Sequence, residues 1–475
     1  MPVQIAANEF YDYTRCSRIV FLDRYGDRSR RLPPSAYDRL LMRQGNEHEA
    51  AIMAGITHSR PAFTYTDLPA GFRETLDLMR RGVPVIGQGV LMHGELVGIP
   101  DVLLRVEGES LLGDHHYRPV DIKLATRPAD GYQLQVMTYV ALLERIQGVR
   151  PQGALWLRLP AEERQTEHDY HEVAVPFDEE RFSAYLEQLR AVALGVEPPA
   201  FYSSTCSGCG WREVCVPAIR AAQDVSLIPG MLREVWQELH RRGLGRLGAL
   251  AEADENSLLD IRGVGAKRAA SYLAHARAMV EGRAIPIGPI RLPAGDPEVF
   301  FDAESVPIAD TIYLFGALIR RGRQVSFEYS LAEHPEDEPL MWEQFLALMD
   351  RLGGVAYHYG QYERTAIDRL QRKYGEDPRA AALLDRMVDL EKALKQSMAL
   401  PLTGYSLKSV APWLGFTWTG EINQGDDSMV VYYRWLEDGN RTHLAQIVRY
   451  NEEDCRATLH IKDWLAAQGG NGARA

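Results

Sequence analysis

Apolar and polar positions along the 475-residue chain alternate with period two in some stretches and recur with helical period in others. Branched apolar residues dominate "GELVGIPDVLLRV" (94–106) and "HYRPVDIKLAT" (116–126), which predicts two strands. Asp101 falls inside the first, and Asp121 and Lys123 share one face of the second. "GYQLQVMTYVALLERIQG" (131–148) has a helical period with apolar residues on most faces, and Gln135 and Tyr139 lie one turn apart on it. "RQGNEHEAAIM" predicts a helix with His48 at its start, and "DEERFSAYLEQLRAVAL" predicts another. Residues 258–282, "LLDIRGVGAKRAASYLAHARAMVEG", read as a helix, a Gly-Val-Gly turn and a second helix. Further on, "EVFFDAESVP" predicts an apolar strand carrying Asp302 and Glu304 on one face. Strands "TIYLFGALI" and "QVSFEYSL" and the helix "LMWEQFLALMDRL" follow, and "IVRYNEEDCRATLHIKDWL" predicts a helix with Tyr450 and Asp454 one turn apart.

Two stretches dense in proline and glycine interrupt these patterns, at 195–204 and 282–298, and read as linkers. The boundaries they suggest are 1–220, 221–285 and 298–466, with a disordered tail "AQGGNGARA". A chain of this length exceeds one hydrophobic core, and its 46% apolar and 25% charged residues are those of an ordinary globular protein. The expected class is therefore multidomain α/β. No apolar run reaches the length of a membrane span and no secretory signal opens the chain, so a cytoplasmic protein without a membrane partner is expected. A net charge of −12 argues against broad coating of nucleic acid and leaves room for a local basic groove. Residues 230–285 are mildly basic within that acidic chain.

Candidate chemistry sharpens the picture. Asp101 and Asp121 could face one point and hold a hard cation such as Mg²⁺ or Mn²⁺, with Lys123 beside them, although a surface ion pair is the commoner meaning of Asp-x-Lys. Three of the five cysteines, Cys206, Cys209 and Cys215, crowd into ten positions. A tetrathiolate site needs a fourth, for which Cys16 and Cys455 are the candidates. Carboxylates at 302, 304 and 454 with a phenol at 450 fit a two-metal phosphodiesterase, though solvated acids are commoner.

Pro100–Asp101, then Asp121-Ile122-Lys123, then Gln135-x-x-x-Tyr139, with His48 ahead of them all, form an ordered set over roughly the first 215 residues. That set resembles the RecB-family PD-(D/E)xK nucleases. The resemblance implies a restriction-endonuclease-like core with His48, Asp101 and Asp121 as metal ligands and Lys123 as catalytic lysine. Gln135 and Tyr139 would hold the substrate or the geometry around it. One branch of that family places a cysteine before the nuclease core and three after it, binding a [4Fe–4S] cluster. By that resemblance Cys16 joins Cys206, Cys209 and Cys215, zinc is the rival occupant, and Cys455 is a buried thiol. Closing a loop of about 190 residues in this way would stabilise by several kcal/mol.

The middle block resembles a helix–hairpin–helix element, which implies contact with DNA backbone through Gly263, Gly265, Lys267 and Arg268; a helical spacer is the plainer alternative. Asp302-x-Glu304 and Tyr450-x-x-x-Asp454 resemble the first and third motifs of ribonuclease-H-like DEDD exonucleases, in their tyrosine variant. The second motif of that family reads His-Asn-x-x-Phe-Asp; here it is "HYGQYE", so Glu363 stands in the aspartate's place. "YSLKSVAPWLGF" fits the segment such domains carry before their last helix. The whole order is similar to bacterial RecB-like nucleases and implies a metal-dependent DNA exonuclease acting on single strands or ends in repair. No G-x-x-x-x-G-K-[ST] loop occurs, so a helicase would be a separate partner. The alternatives are a nucleic-acid-binding scaffold with one or both sites silent, and a ribonuclease.

Overall fold

The computed structural model describes residues 4–160, 163–166, 168–306, 310–422 and 425–471. It divides into two compact units, 1–200 with 204–216 and 201–203 with 217–475. Both are mixed α/β, so the chain is a multidomain α/β protein.

The first unit holds strands β1 (Ile5–Ala6), β2 (Val85–Gly87), β3 (Leu91–His93), β4 (Leu96–Gly98), β5 (Val102–Ser110), β6 (Gly113–Lys123), β7 (Gly153–Arg158) and β8 (Tyr170–Val175). They form a five-stranded sheet ordered β2-β5-β6-β7-β8 and a small sheet β1-β4-β3. Its helices are α1 (Ala7–Arg15), α2 (Ser17–Tyr25), α3 (Ala36–Ala54), α4 (Leu68–Arg80), α5 (Asp130–Gln147) and α6 (Glu179–Ala193). Helix α5 buries Leu134, Val136, Met137, Tyr139, Val140, Leu142 and Leu143, as its apolar periphery requires.

Two expectations change in detail. The strand expected over 94–106 breaks between β4 and β5, so Asp101 sits at the break instead of inside a strand. Pro100 offers no N–H to a ladder, and Gly98 lies so close to the Tyr139 ring that a Cβ there would come within 2.7 Å of it. His48 lies well inside α3, because Ser35 and Asp38 form a capping box that starts the helix at Ala36.

Helix α7 (Arg212–Ala221) is followed by α8 (Arg233–Arg241), α9 (Leu247–Ala251) and α10 (Ala266–Glu281). The segment before the Gly-Val-Gly turn is a single 3₁₀ turn, Glu255–Leu258, where a helix was expected. Asp254 caps it by accepting the Asn256 N–H, and that local competition stops a longer helix.

The second unit's main sheet is ordered β12-β11-β10-β13-β14. Its strands are β10 (Glu298–Val306), β11 (Thr311–Arg321), β12 (Gln324–Leu331), β13 (Val355–His358) and β14 (Met387–Asp389); β9 (Ile285–Pro286) and β15 (Met398–Ala399) pair separately. Around it lie α11 (Glu338–Leu352), α12 (Tyr362–Tyr374), α13 (Pro378–Asp385), α14 (Leu390–Ser397), α15 (Leu407–Trp413), α16 (Gly425–Asp438) and α17 (Thr442–Asn471). Helix α17 continues to Asn471, into the tail that was expected to be disordered; 472–475 lie outside the described residues. Phe300 packs in one cluster with Leu318, Tyr357, Leu390 and Cys455, and Cys455 is fully buried there. Phe300, Asp302 and Glu304 share one face of β10, and α17 covers it.

That covering depends on Gly316 in β11, which stands opposite Asp302 in register. A Cβ at 316 would come within 1.8 Å of Asn451 Oδ1 on α17. Gly316→Ala should therefore cost about 1–3 kcal/mol in denaturant unfolding, as overpacking does. Combining it with Asn451→Ala should cost less than the two changes summed. Strict additivity would show that this contact is not what requires the glycine.

Candidate active sites

In the first unit, the β5–β6 register pairs Val102 with Val120, which sets Asp101 beside Asp121 and Ile122. Asp101 Oδ2 accepts the Ile122 N–H at 2.6 Å, and Lys123 Nζ lies 2.5 Å from Asp121 Oδ2. Burial, then the Asp121 charge, pushes the Asp101 carboxyl well above the usual carboxylate range; Lys123 opposes this and Glu49 adds to it. Burial lowers the Lys123 pKa, but Asp121 and Asp101 outweigh it and hold the ammonium charged. Lys123 is thus a fixed charge while both carboxylates are bare.

Gln135 Nε2 donates to the Tyr139 hydroxyl at 2.8 Å, and that hydroxyl donates to the Ile99 carbonyl at 3.3 Å, bracing the segment that carries Asp101. Gln135 and Tyr139 also line a cavity of about 300 Å³ with Asn8, Tyr65, Leu68 and Gly98. His48 is buried, with its Nδ1 3.5 Å from that of His168. Among the described residues, His48, Asp101 and Asp121 do not form a trio with ligand atoms all within 4.8 Å of one another. Glu49, not singled out from sequence, acts on Asp101 and accepts a hydrogen bond from Gln88 at 3.0 Å.

In the second unit, ligand atoms of Asp302, Glu304 and Asp454 all lie within 4.8 Å of one another. Asn451 Nδ2 donates to Asp302 Oδ2 at 2.8 Å. Ser428 Oγ donates to Glu304 Oε2 at 2.6 Å and accepts from Tyr313 at 3.0 Å. Trp418 Nε1 donates to Asp454 Oδ1 at 2.6 Å, and Lys408 Nζ forms an ion pair with the same oxygen. Burial raises the carboxyls of Asp302, Glu304 and Asp454, with their mutual charge adding at Asp302 and Glu304. Tyr450 is held neutral by burial and then by Asp454, Glu304 and Asp302.

Glu363, near the start of α12, is buried with His358 Nδ1 3.3 Å from its Oε2. It hydrogen-bonds Asp302 carboxyl to carboxyl, and burial pushes it up to about 8. It stands outside the close trio. A hard divalent cation takes oxygen ligands such as these, so the donor set fits Mg²⁺ or Mn²⁺.

Residues 22–216 match the PD-(D/E)XK nuclease superfamily and residues 299–466 match the RNase_H superfamily. The chain carries two nuclease-type domains. A search of curated proteins finds no match.

The PD-(D/E)XK domain also holds the cysteine-rich segment. Cys16 joins α1 to α2, Cys206 ends a 3₁₀ turn, Cys209 follows it, and Cys215 lies on α7. Burial raises the Cys209 and Cys215 thiols, and each also feels Cys16 and Cys206. The Trp211 N–H donates to Cys209 Sγ at 3.4 Å, while Trp211 Nε1 donates to Asp23 Oδ1 at 2.8 Å, tying the segment back to α2. Among the described residues, no three of these sulfurs lie mutually within 4.8 Å. Ahead of the RNase H-like domain, Gly263 has a left-handed backbone (φ +85°). Gly263, Gly265, Lys267 and Arg268 are all exposed, and Arg268 donates to the Gly263 carbonyl. No helix among the described residues is long and apolar enough to cross a membrane.

The raised carboxyls of the RNase H-like domain link stability to pH. They bind protons more tightly folded than unfolded, so folding stability is lost as pH rises from about 4, the unfolded value, towards the folded values, about 8 for Glu363. Metal-free protein should melt at a lower temperature at pH 8 than at pH 5.5. The rise in melting temperature on adding Mn²⁺ should grow with pH, because the cation displaces those protons. Asp302→Asn with Glu304→Gln should flatten both trends, and a pH-independent metal effect would contradict the linkage.

Proposed function

We propose that the protein is a metal-dependent DNA nuclease, an exonuclease acting on single strands or ends in repair, with a separate helicase to open duplex. The close trio Asp302, Glu304 and Asp454 beside a neutral Tyr450 carries this reading. In the RNase H-like domain those three acids hold cation, Glu363 supports Asp302, and the Tyr450 hydroxyl orients the attacking water. In the PD-(D/E)XK domain Asp101 and Asp121, with His48 as a further ligand, would hold cation, and Gln135 and Tyr139 keep Asp101 in place. A divalent cation bound at either site supplies Lewis acidity to the scissile phosphate and lowers the pKa of the attacking water. Lys123, paired with Asp121, would present its ammonium to the phosphate under attack, offset the charge that develops there and orient the attacking water. Gly263, Gly265, Lys267 and Arg268 grip strand backbone.

End-labelled DNA and RNA, single- and double-stranded, with Mg²⁺ or Mn²⁺, test this directly. Lys123→Ala should cut one cleavage activity by about 10²–10⁴-fold without unfolding the protein. Asp302→Ala with Asp454→Ala should remove an activity that survives Lys123→Ala. One observation favours a second reading for the C-terminal half: Glu363 hydrogen-bonds Asp302 instead of joining the mutually close trio. If Lys123→Ala abolishes all cleavage, that half is a binding scaffold; cleavage confined to RNA would make the protein a ribonuclease.

Cys16, Cys206, Cys209 and Cys215 hold a [4Fe–4S] cluster in this reading. A tetrahedral zinc site with 2.3 Å bonds would draw all four sulfurs to about 3.8 Å apart, whereas among the described residues no three of these thiols lie mutually within 4.8 Å. Anaerobically purified protein should be brown, with a broad visible absorbance that Cys16→Ala removes and Cys455→Ala keeps. Colourless protein with stoichiometric zinc would reverse the assignment.

A further inference from the structure

Lys408 is a charged group of the RNase H-like site to which the motif residues assign no task. It lies at the second position of α15, and its Nζ forms an ion pair with Asp454 Oδ1. The same Nζ stands 4.0 Å from the centre of the Trp418 ring and 4.2 Å from that of Tyr450. Its charge also acts on Asp302 and Glu304. An ammonium is a compact point charge with three donors, so it can serve several carboxylates from one position. The two aromatic faces hold it there by cation–π attraction.

We propose that the Lys408 ammonium is a resident cation of this site, standing in for one of two divalent ions, so that the domain takes a single exchangeable metal. Asp454 Oδ1 already accepts from both the ammonium and the Trp418 indole, and Tyr450 hydrogen-bonds the same carboxylate, so this acid is largely engaged without a second divalent ion. Ions in a two-metal site sit about 3.5–4 Å apart. An ammonium paired with one of the three clustered acids occupies space on that scale, and a second divalent ion there would meet its repulsion. Asp302 and Glu304 are held by neutral donors, Asn451 and Ser428, so their charge stays available to the one metal. The inference rests on reading Asp302, Glu304 and Asp454 as metal ligands.

The test counts metal, with the PD-(D/E)XK site removed by Asp101→Asn and Asp121→Asn in the full chain. Equilibrium dialysis with Mn²⁺ should find one ion per chain, and low-temperature electron paramagnetic resonance should show an isolated ion. Adding Lys408→Met should bring in a second Mn²⁺ and the signature of an exchange-coupled pair; Lys408→Gln repeats the measurement should the first variant fold poorly. Two coupled ions with Lys408 intact would overturn the proposal while leaving the metal reading standing. No bound Mn²⁺ in either protein would overturn the metal reading, and the proposal with it.

Discussion

Several carboxylates buried at one point repel one another and lose hydration, so a fold can hold them only by tethering each from outside and by supplying positive charge. The RNase H-like domain does the first with neutral donors. Asn451, Ser428 and Trp418 each fix one acid by a single hydrogen bond, which sets direction without cancelling charge. Glu298, at the other end of the same strand, shows the contrast. Arg320 and Lys462 both pair with it, and that carboxylate has no charge left to offer a cation. One strand thus carries a structural acid at its start and two chemically available ones further along.

The PD-(D/E)XK domain meets the same constraint more economically. Asp101 is tethered by a backbone N–H and Asp121 by the ammonium two residues away on its own strand. The break between β4 and β5 makes this possible, because it frees Asp101 from the ladder and turns it towards β6. Gly98 against the Tyr139 ring holds the break in place. Packing around an aromatic ring therefore decides where a carboxylate sits.

Much of this was legible wherever geometry is local. Asp121 with Lys123, Asp302 with Glu304, and Tyr450 with Asp454 each share a face by strand or helix period, and the structure puts each pair together. The outline of the strands and of α5 followed from the same periods, and the α/β class with them. What sequence reasoning missed comes from a distance or from an unmarked neighbour. Ser428, Trp418 and Lys408 reach the acids from 405–438, where no spacing ties them to residues 302, 304 or 454. Glu49 and Asn451 adjoin residues that were noticed, but only the packing of α3 and α17 shows that their side chains act on Asp101 and Asp302. The break at Pro100 was written in the sequence, yet an apolar run across it read as one strand. Glu363 was expected to stand in the aspartate's place of the second motif; its placement against Asp302 depends on how far α12 stands from β10, which no local pattern encodes.

Cys455 shows why proximity alone does not make a ligand. It follows Asp454 directly and lies fully buried, with its thiol pushed well up by burial and then by Asp302 and Asp454. A thiol that stays protonated neither coordinates metal nor attacks, and its sulfur is held by packing on Phe300 and a weak contact with the Gly316 carbonyl. A thiolate at that position would add soft character and further negative charge to a site whose oxygens suit hard cations. The four other cysteines are half-buried; burial raises the Cys215 thiol as well, and Arg18, which hydrogen-bonds it, opposes that rise. Environment sets one fully buried thiol that faces carboxylates apart from four half-buried ones, of which Cys209 and Cys215 feel the other cysteines of the set.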